Sequence, residues 1–558
     1  MKLSITQLIL FLLPFTLFSQ NKSNVFGGFE SNSQWYLNDK GLKDEFNNPT
    51  AHPEDPLRSN NYLFLNYKYA NWSAGIQGEA YEKNALLSMN PKYEHTNIAT
   101  YFVQYKNEKI DLTAGYFYDQ FGSGLLFRSW EDRALGINNA LRGLRFIYKP
   151  TEFLTLKSIY GQQRTGFDVS KGKIYGLDSE IGLSKMLKYK ISELSIGLTY
   201  VGRDEQTDII NPNFPSLTNC YAGRLNFNHK SFYLTTEYDY KSKDAVVQIQ
   251  NQISNSLIKP GNALLLNTGY SKKGFGIDAT FRRIENMSFF SERGANGNLY
   301  NDRIINFIPS LTKQHHYNLA NIYVYQAQPK VAIIDNDIVK AGEIGGQIDV
   351  FYDFKKGTTF GGKNGTKVAL NFSNWNALGG TFYIYNPQDY KTDFLGFGKR
   401  YFTDANIEIT KKWNSKWQSI FSYINQYYNK KLVEGTTGEI NSNILAAEAT
   451  YKFTNTRSLR VLGEHLWADH DKKNWAGATV ELNLNSKFSI YSSDLYNYGN
   501  DVDYLRNHYY NIGSAFRKNS TRIALNYGRQ RGGLLCVGGV CRYVPESSGV
   551  SLSLNTTF

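Results

Sequence analysis

An alternation of apolar and polar residues with a period of two recurs from about residue 24 to the end of the chain. In the stretch 232–241, one face carries Phe232, Leu234, Tyr238 and Tyr240, and the other carries Thr235, Glu237, Asp239 and Lys241. Because successive side chains of a β-strand point to opposite faces, this period predicts strands with one apolar and one polar face. Charged residues on the polar faces are expected to line water, among them Asp111, Lys149, Arg224 and Arg522.

Connections between the predicted strands alternate between short and long. Turns as short as Ala70-Asn71 occur at one end of the strands, and long connections such as 119–142 and 531–543 occur at the other. A soluble sandwich also alternates, but short periplasmic turns opposite long extracellular loops are typical of a transmembrane β-barrel. The pattern predicts an all-β fold, a single large antiparallel barrel of about 26 strands with a range of 22–26. Within it, 299–327 is interpreted as two strands joined by a turn at 309–311.

The composition agrees with a barrel and excludes other classes. Aromatic residues make up 15% of the 558-residue chain, with 41 Tyr and 35 Phe, yet the mean hydropathy is −0.45. The aromatic excess argues against disorder, and beyond the N-terminus there is no apolar run long enough for a membrane helix. The net charge of +13 is spread along the chain without a compact basic patch, so no nucleic-acid partner is expected.

Both ends of the chain carry signals of export and membrane assembly. Lys2 precedes an apolar stretch that ends in Ser19-Gln20, which predicts a signal peptide at 1–19 and a barrel domain at 20–558. The C-terminal strand presents Val550, Leu552, Leu554 and Phe558 on one face. Such a terminal strand is the signal that barrel-assembly machinery reads. The predicted location is therefore the bacterial outer membrane, crossed by many strands.

A barrel of this size must be obstructed. A ring of 26 strands would be on the order of 50 Å across, and an open hole of that width would defeat the membrane as a barrier. The third long connection, 119–143, combines glycines, apolar residues and charges, so it is predicted either to fold into the lumen as a constriction or to pack as a surface loop. The candidate lumen or constriction residues are Arg128, Trp130, Glu131, Asp132, Arg133, Arg142 and, on the following strand, Arg145.

Few residues suggest other chemistry. Cys536 and Cys541 bracket a short Val-Gly-Gly-Val loop, where a disulfide is geometrically easy. A metal site there would need a second ligand pair, which is absent, and the His315-His316 pair points to opposite faces of a strand. Neither a nucleophile elbow nor a phosphate loop is found. No catalytic residue, metal or cofactor is predicted.

Three segments carry a family resemblance: YFYDQFGSGLLFRSWEDRALGINNALRG, GGQIDVFYDFKKGTTFGGKNGT and RQRGGLLCVGGVCRYVP. Together they resemble an uncharacterised Bacteroidota outer-membrane β-barrel family, domain of unknown function 6029 (DUF6029). The resemblance covers essentially the whole mature chain. It implies a barrel in the outer membrane of that phylum and brings no activity, ligand or catalytic residue.

The sequence supports two functional hypotheses. The first is a porin-like channel for small polar or anionic solutes with an inward-folded third extracellular loop. The alternative is a non-enzymatic structural subunit of a larger outer-membrane secretion or assembly complex. Expected partners are outer-membrane lipid and, during biogenesis, the barrel-assembly machinery; the alternative adds other outer-membrane proteins or lipoproteins.

Overall fold

A computed structural model of the chain describes residues 23–206, 213–248, 251–295, 300–385, 387–436 and 438–558. The predicted signal peptide, 1–19, lies outside the described residues. Twenty-four strands form one sheet, and we number them β1 to β24 in chain order. None of the described helices is long and apolar enough to cross a membrane.

The first twelve strands are β1 Ser23–Leu37, β2 Leu57–Tyr69, β3 Trp72–Glu82, β4 His95–Lys106, β5 Ile110–Phe117, β6 Leu141–Thr151, β7 Leu154–Thr165, β8 Asp168–Gly182, β9 Glu193–Asp204, β10 Leu217–His229, β11 Phe232–Val247 and β12 Ile253–Lys272. The remaining twelve are β13 Phe275–Glu285, β14 Gly342–Phe354, β15 Thr366–Tyr383, β16 Asp389–Lys412, β17 Trp417–Asn429, β18 Glu439–Lys452, β19 Ser458–Ala468, β20 Trp475–Asn483, β21 Phe488–Tyr496, β22 Asn511–Lys518, β23 Thr521–Gln530 and β24 Ser547–Thr557.

Smaller elements lie in the connections. The helices are α1 Leu183–Met186, α2 Lys430–Glu434 and the 3₁₀ turns Leu319–Asn321 and Asp503–Leu505. The short hairpins pair Asp39–Lys43 with Pro49–Thr50, Gln120–Phe121 with Phe127–Arg128, Glu131–Asp132 with Ile137–Asn138, Ala332–Ile333 with Val339–Lys340, and Gly533–Val537 with Val540–Val544.

The sheet closes on itself. Each strand pairs antiparallel with its neighbours in the chain, and β24 pairs with β1 in a register that runs from Gly28 opposite Thr557 to Leu37 opposite Ser548. Beyond that register, the Phe558 and Gly27 backbones exchange two hydrogen bonds. Closure satisfies the backbone groups of both edge strands, which a sheet in lipid requires. The predicted fold class is confirmed as a single antiparallel transmembrane β-barrel, with 24 strands within the predicted range.

Side chains alternate across the barrel wall as the two-residue period predicts. On β9, Leu198 is 61% exposed on the outer face, whereas the adjacent Thr199 is buried on the inner face. The Thr199 hydroxyl donates a hydrogen bond to Asp178, and Asp178 forms a 2.8 Å ion pair with Arg224. The outer face is therefore apolar, and the charged residues face the lumen.

The connections differ at the two ends of the barrel. One end, the short-turn end, has turns such as Ala70–Asn71, Lys230–Ser231 and Asn519–Ser520. The other, the long-loop end, carries the connections 118–140, 497–510 and 531–546, and the chain that joins β13 to β14. This asymmetry places most of the chain available for obstructing the lumen at one end.

The interpretation of 299–327 as two strands was wrong. Its described residues, 300–327, contribute no strand to the barrel. The segment does alternate, but residues of both kinds are buried: Ile305 and Leu319 are fully enclosed, and so are Asp302 and Asn306. A barrel strand needs one face toward lipid, whereas this segment lies inside the barrel, where its exposed Asn318 lines a cavity. Its loss accounts for the difference between 26 and 24 strands.

We predict that Leu198→Arg impairs the barrel, because an arginine on the lipid face near the midplane costs about 2–4 kcal/mol. Asn226→Arg is the matched control, since Asn226 lines a polar cavity inside the barrel. Urea titration of both variants refolded into lipid vesicles measures the free energy of unfolding. Equal stability of the two variants would contradict the assignment of the outer face.

Candidate functional site

The longest described connection joins β13 to β14 and comprises residues 286–295 and 300–341, which we call the crossing segment. Its first part lies against β7. Ser291 Oγ donates a hydrogen bond of 2.7 Å to Gln163 Oε1, and Gln163 Nε2 donates one to the carbonyl of Ile304. These bonds fix the first part of the segment to one side of the lumen.

The middle of the crossing segment lies against other strands. His315 Nε2 is 2.9 Å from Asp404 Oδ2 on β16. The carboxylate of Glu464 on β19 accepts a hydrogen bond of 2.8 Å from the backbone N–H of Leu319. Both wall carboxylates are buried, so each contact replaces a solvation shell that the group has lost on folding.

These two attachments lie on opposite walls. β7 and β19 are separated by half of the 24-strand ring. A ring of this size is roughly 48 Å across at the backbone, and the chain from Ile304 to Leu319 reaches at most about 50 Å when extended. The wall side chains project inward and shorten the gap. Between these attachments, the carbonyl of Pro309 accepts a hydrogen bond of 2.7 Å from Arg282 of β13. The segment therefore runs inside the lumen from β7, past β13, to the opposite wall at β19.

The chain then returns. Ser310 Oγ donates to the carbonyl of Tyr325 at 2.6 Å, and the N–H of Ala327 donates to Ser310 Oγ at 3.2 Å. Residues 311–324 are thus an excursion whose two ends meet near Ser310. Farther on, the Val331 N–H donates to the carbonyl of Val247 at the end of β11.

Apolar packing anchors the excursion to its wall. Tyr317, Leu319 and Tyr323, with Tyr325 at its end, are all at most 4% exposed, and they pack with the fully buried Trp375 and Trp475 of β15 and β20. Burying one large apolar side chain is worth about 2 kcal/mol. Four such side chains anchor the excursion, and the entropy lost in ordering the segment offsets part of this gain.

The third loop, residues 118–140, also folds into the lumen. The Ser123 N–H donates a hydrogen bond of 2.9 Å to Glu237 Oε2 on β11. Gly122 has a φ of +52°, and a Cβ there would lie 2.5 Å from the Arg224 side chain. Only glycine therefore permits this close approach of the loop to the wall.

The third loop and the crossing segment form one unit. The Arg128 N–H donates to the carbonyl of Ile305, and the Phe307 N–H donates to the carbonyl of Gly124, both at 2.9 Å. Asn306 Nδ2 adds a bond of 3.0 Å to the carbonyl of Leu125. The obstruction therefore involves two connections, of which the sequence pointed to only one.

Two candidate constriction residues, Glu131 and Arg133, tie the third loop to β1–β3. Arg133 forms ion pairs with Glu30 at 2.7 Å and with Glu131 at 3.2 Å, and its guanidinium lies over the ring of Tyr62. Asp132 caps the local turn by accepting from the Leu135 N–H. The charges of Arg133 and Glu131 are neutralised by ion pairs, and these two residues act as structural ties.

Two other candidates remain without a carboxylate partner. The Arg128 guanidinium lies 3.9 Å from the ring centre of Phe307 and 5.2 Å from that of Trp130, and no described carboxylate pairs with it. The Trp130 indole N–H is buried and has no hydrogen-bond acceptor in the described protein.

Arg145, on β6, does face the lumen and pairs with Asp111 at 2.9 Å.

Arg142 does not line the lumen. It shares a face of β6 with the exposed Leu144 and Phe146, and it lies opposite Tyr116 of β5 on the outer surface. The prediction placed Arg142 in the loop, where side chains do not alternate between two faces. The structure places Arg142 at the second position of β6. Because successive side chains of a strand point to opposite faces, Arg142 points to the outer face.

The C-terminal hairpin, which pairs Gly533–Val537 with Val540–Val544, lies where the third loop and the crossing segment meet. Cys536 and Cys541 lie opposite each other and form a disulfide, and Cys220 is a buried free thiol. The hairpin tip contacts the crossing segment, because the Ser310 N–H donates to the carbonyl of Gly539 at 2.8 Å.

On β24, Val550, Leu552 and Leu554 share the outer face, and Leu552 and the terminal Phe558 are exposed.

Buried ion pairs that sequence analysis missed brace the lumen. Arg164 of β7 and Glu79 of β3 are each 1% exposed and form a pair at 2.6 Å, although their strands are four positions apart. Arg203 of β9 and Arg293 of the crossing segment both bind Asp244 of β11. No sequence spacing indicates such pairs, since the partners are far apart in the chain.

Two larger cavities remain inside the barrel. One of about 420 Å³ lies beneath the third loop and is lined by Ser123, Lys157, Glu180, Asn226 and Asn267. The other, of about 320 Å³, is lined by residues of β1 and β21–β24 with Asn318, Arg529 and Arg531. Both are polar. Among the described residues, no group of three or more His, Cys, Asp or Glu side chains could hold a metal ion.

The sequence matches, over residues 1–558, the family described as Family of unknown function (DUF6029). The chain belongs to this family. The predicted family is thus confirmed, and the DUF6029 description assigns no activity to it. No curated protein matches the sequence.

Solved barrels share the general architecture at low identity. The siderophore receptor PirA from Pseudomonas aeruginosa is 8% identical, with a TM-score of 0.40 over 97% of this chain and 81% of the receptor. The translocation pore of the P pilus usher PapC is 9% identical, with a TM-score of 0.41 over 96% and 99%. Acinetobacter baumannii OccAB4 is 10% identical, with a TM-score of 0.37 over 97% and 99%.

We predict that Glu79→Gln destabilises the barrel by about 3–5 kcal/mol, because it leaves the buried Arg164 guanidinium without its counter-charge. The double variant Glu79→Gln with Arg164→Met should recover much of this loss, since it removes the uncompensated charge. Urea unfolding in detergent micelles measures both. A double variant less stable than Glu79→Gln alone would contradict the assignment of the loss to an uncompensated charge.

Proposed function

We propose that this DUF6029 protein is a bacterial outer-membrane channel with a closed resting state, which passes small polar or anionic solutes when its obstruction moves. The observation that carries the proposal is the crossing segment, which is bound to opposite walls of a ring too wide to be left open. The apolar outer face supports the membrane location, and the lipid of that membrane is the proposed partner of the outer face.

The strength of the anchoring supports a closed resting state. The excursion 311–324 is held against β15–β20 by the buried side chains of Tyr317, Leu319 and Tyr323, each at most 4% exposed. Opening therefore requires a bound solute, a partner or a change in membrane potential that favours the displaced state.

The character of the cavities supports polar solutes. The cavity of about 420 Å³ is lined by amide, hydroxyl and charged side chains that include Lys157, Arg224 and Glu237. Arg529 and Arg531 line the other cavity. Lumens with such linings favour hydrated solutes over apolar ones. Arg224 and Arg529 are paired with carboxylates, whereas Arg531 forms no ion pair with a described residue and therefore favours an anion. We propose no catalytic residue or cofactor.

A second candidate is a non-enzymatic structural subunit of a larger outer-membrane secretion or assembly complex. The firmly packed lumen favours it, because a scaffold needs a sealed barrel and no route for solutes. Other outer-membrane proteins or lipoproteins would be its partners. Mild detergent extraction should then recover the protein with stoichiometric partners, and recovery as a lone chain would contradict this candidate.

We predict that excising the excursion increases conductance several-fold. Because Ser310 and Tyr325 are in contact, residues 312–323 can be replaced by two glycines without stretching the remaining chain. Single-channel recording in planar bilayers compares this variant with the unaltered protein, whose conductance should be small for a 24-strand barrel.

A matched control replaces the solvent-exposed turn 45–48, which contributes no side chain to the apolar cluster around the excursion, by two glycines, and its conductance should not change. Equal conductance of the excised variant and the unaltered protein would show that the excursion does not obstruct the barrel, and it would overturn the proposed function.

A further inference from the structure

A small cavity of about 60 Å³ lies where the third loop, the crossing segment and the C-terminal hairpin meet. Its lining includes Trp130 of the third loop, Asn306, Phe307 and Lys330 of the crossing segment, and Gly539 of the hairpin. A single buried water needs about 10–15 Å³ of such cavity volume. The cavity therefore has room for several waters or one small anion.

Two hydrogen-bond donors of this cavity, the Trp130 indole N–H and the Lys330 ammonium, lack a partner among the described residues, as does one acceptor, Asn306 Oδ1. The Trp130 Nε1–H is buried and finds no acceptor among the described residues. Lys330 forms no hydrogen bond or ion pair with any described residue. Burial alone lowers the pKa of Lys330 to about 8, because no neighbouring carboxylate offsets the loss of hydration.

The charges around the cavity favour an anion. None of its described lining residues is an aspartate or a glutamate. Arg128 adds a second cation beside the Trp130 ring, and it too has no described carboxylate partner. Elsewhere in the lumen, arginines such as Arg133 and Arg164 are paired with carboxylates. This cavity is thus a positive site in a lumen where most charges are neutralised.

We propose that the cavity is a binding site for one small anion, held by the Lys330 ammonium and the Trp130 indole N–H with Arg128 nearby. The Lys330 side chain is only partly exposed and has no counter-charge among the described residues, so an anion in contact would replace the hydration that the ammonium loses. The site deepens the proposed function, because it lies within the obstruction and takes the anionic class of solute. Its occupation would also bridge the third loop and the crossing segment.

The test follows the indole N–H signals of ¹⁵N-tryptophan-labelled full-length protein in dodecyl maltoside micelles, a detergent without phosphate. The chain has 8 Trp residues, and Trp130→Phe identifies the Trp130 signal while keeping an aromatic ring at that position. Inorganic phosphate is the probe, and chloride at equal ionic strength is the comparison. We expect a saturable shift of the Trp130 signal, with the other indoles almost unchanged.

Lys330→Met should weaken the apparent affinity at least ten-fold. Lys83→Met, which removes an exposed cation paired with Asp55, should leave the affinity unchanged. Preserved positions of the other indole signals in both variants verify the fold.

A Trp130 signal that does not respond to phosphate or chloride, or equal affinity in Lys330→Met and the unaltered protein, would overturn the site. This readout does not depend on conduction, so failure of the anion site and failure of the channel can be distinguished.

Discussion

The attachment of one chain segment to opposite walls of a 24-strand ring is the constraint on which the rest of the lumen depends. Closing the sheet satisfies every edge, but the same closure leaves a space too wide for a membrane barrier. The bonds from Gln163 to Ile304 and from Glu464 to Leu319 hold the crossing segment across that space. The third loop and the C-terminal hairpin then pack against the segment, so each of them depends on its position.

The barrel wall could be predicted because lipid and lumen impose opposite demands on adjacent residues. Leu198 and Thr199 illustrate this, since one must face hydrocarbon and the other faces hydrogen-bonding groups. The same rule failed at 300–327, where alternation is present but the exposed residues, such as Asn318, line a cavity inside the barrel and do not face lipid. It also failed for Arg142, because the predicted loop 119–143 ended three residues later than the observed one, and side chains alternate between the two faces only from Leu141, where the strand begins.

The obstruction could be predicted only in part. The length of the third loop, its glycines and its apolar residues indicated an ordered inward segment, and Gly122 shows why glycine is needed there. Lys330, Glu464 and the Arg164–Glu79 pair carried no such signal. Their roles arise from contacts between residues that lie far apart in the chain, and such contacts depend on the closed ring rather than on any local pattern.

Cysteine cross-linking within one molecule tests the central claim most directly. Ser291→Cys with Gln163→Cys joins the crossing segment to β7, and Leu319→Cys with Gly477→Cys joins it to β20, where a Cβ on residue 477 would lie 3.6 Å from the Leu319 side chain. In a variant carrying all four substitutions, oxidation followed by mass spectrometry of the peptides should find both disulfides in the same chain. Formation of one pair without the other would show that the segment lies along a single wall, and it would contradict a lumen closed by a crossing chain.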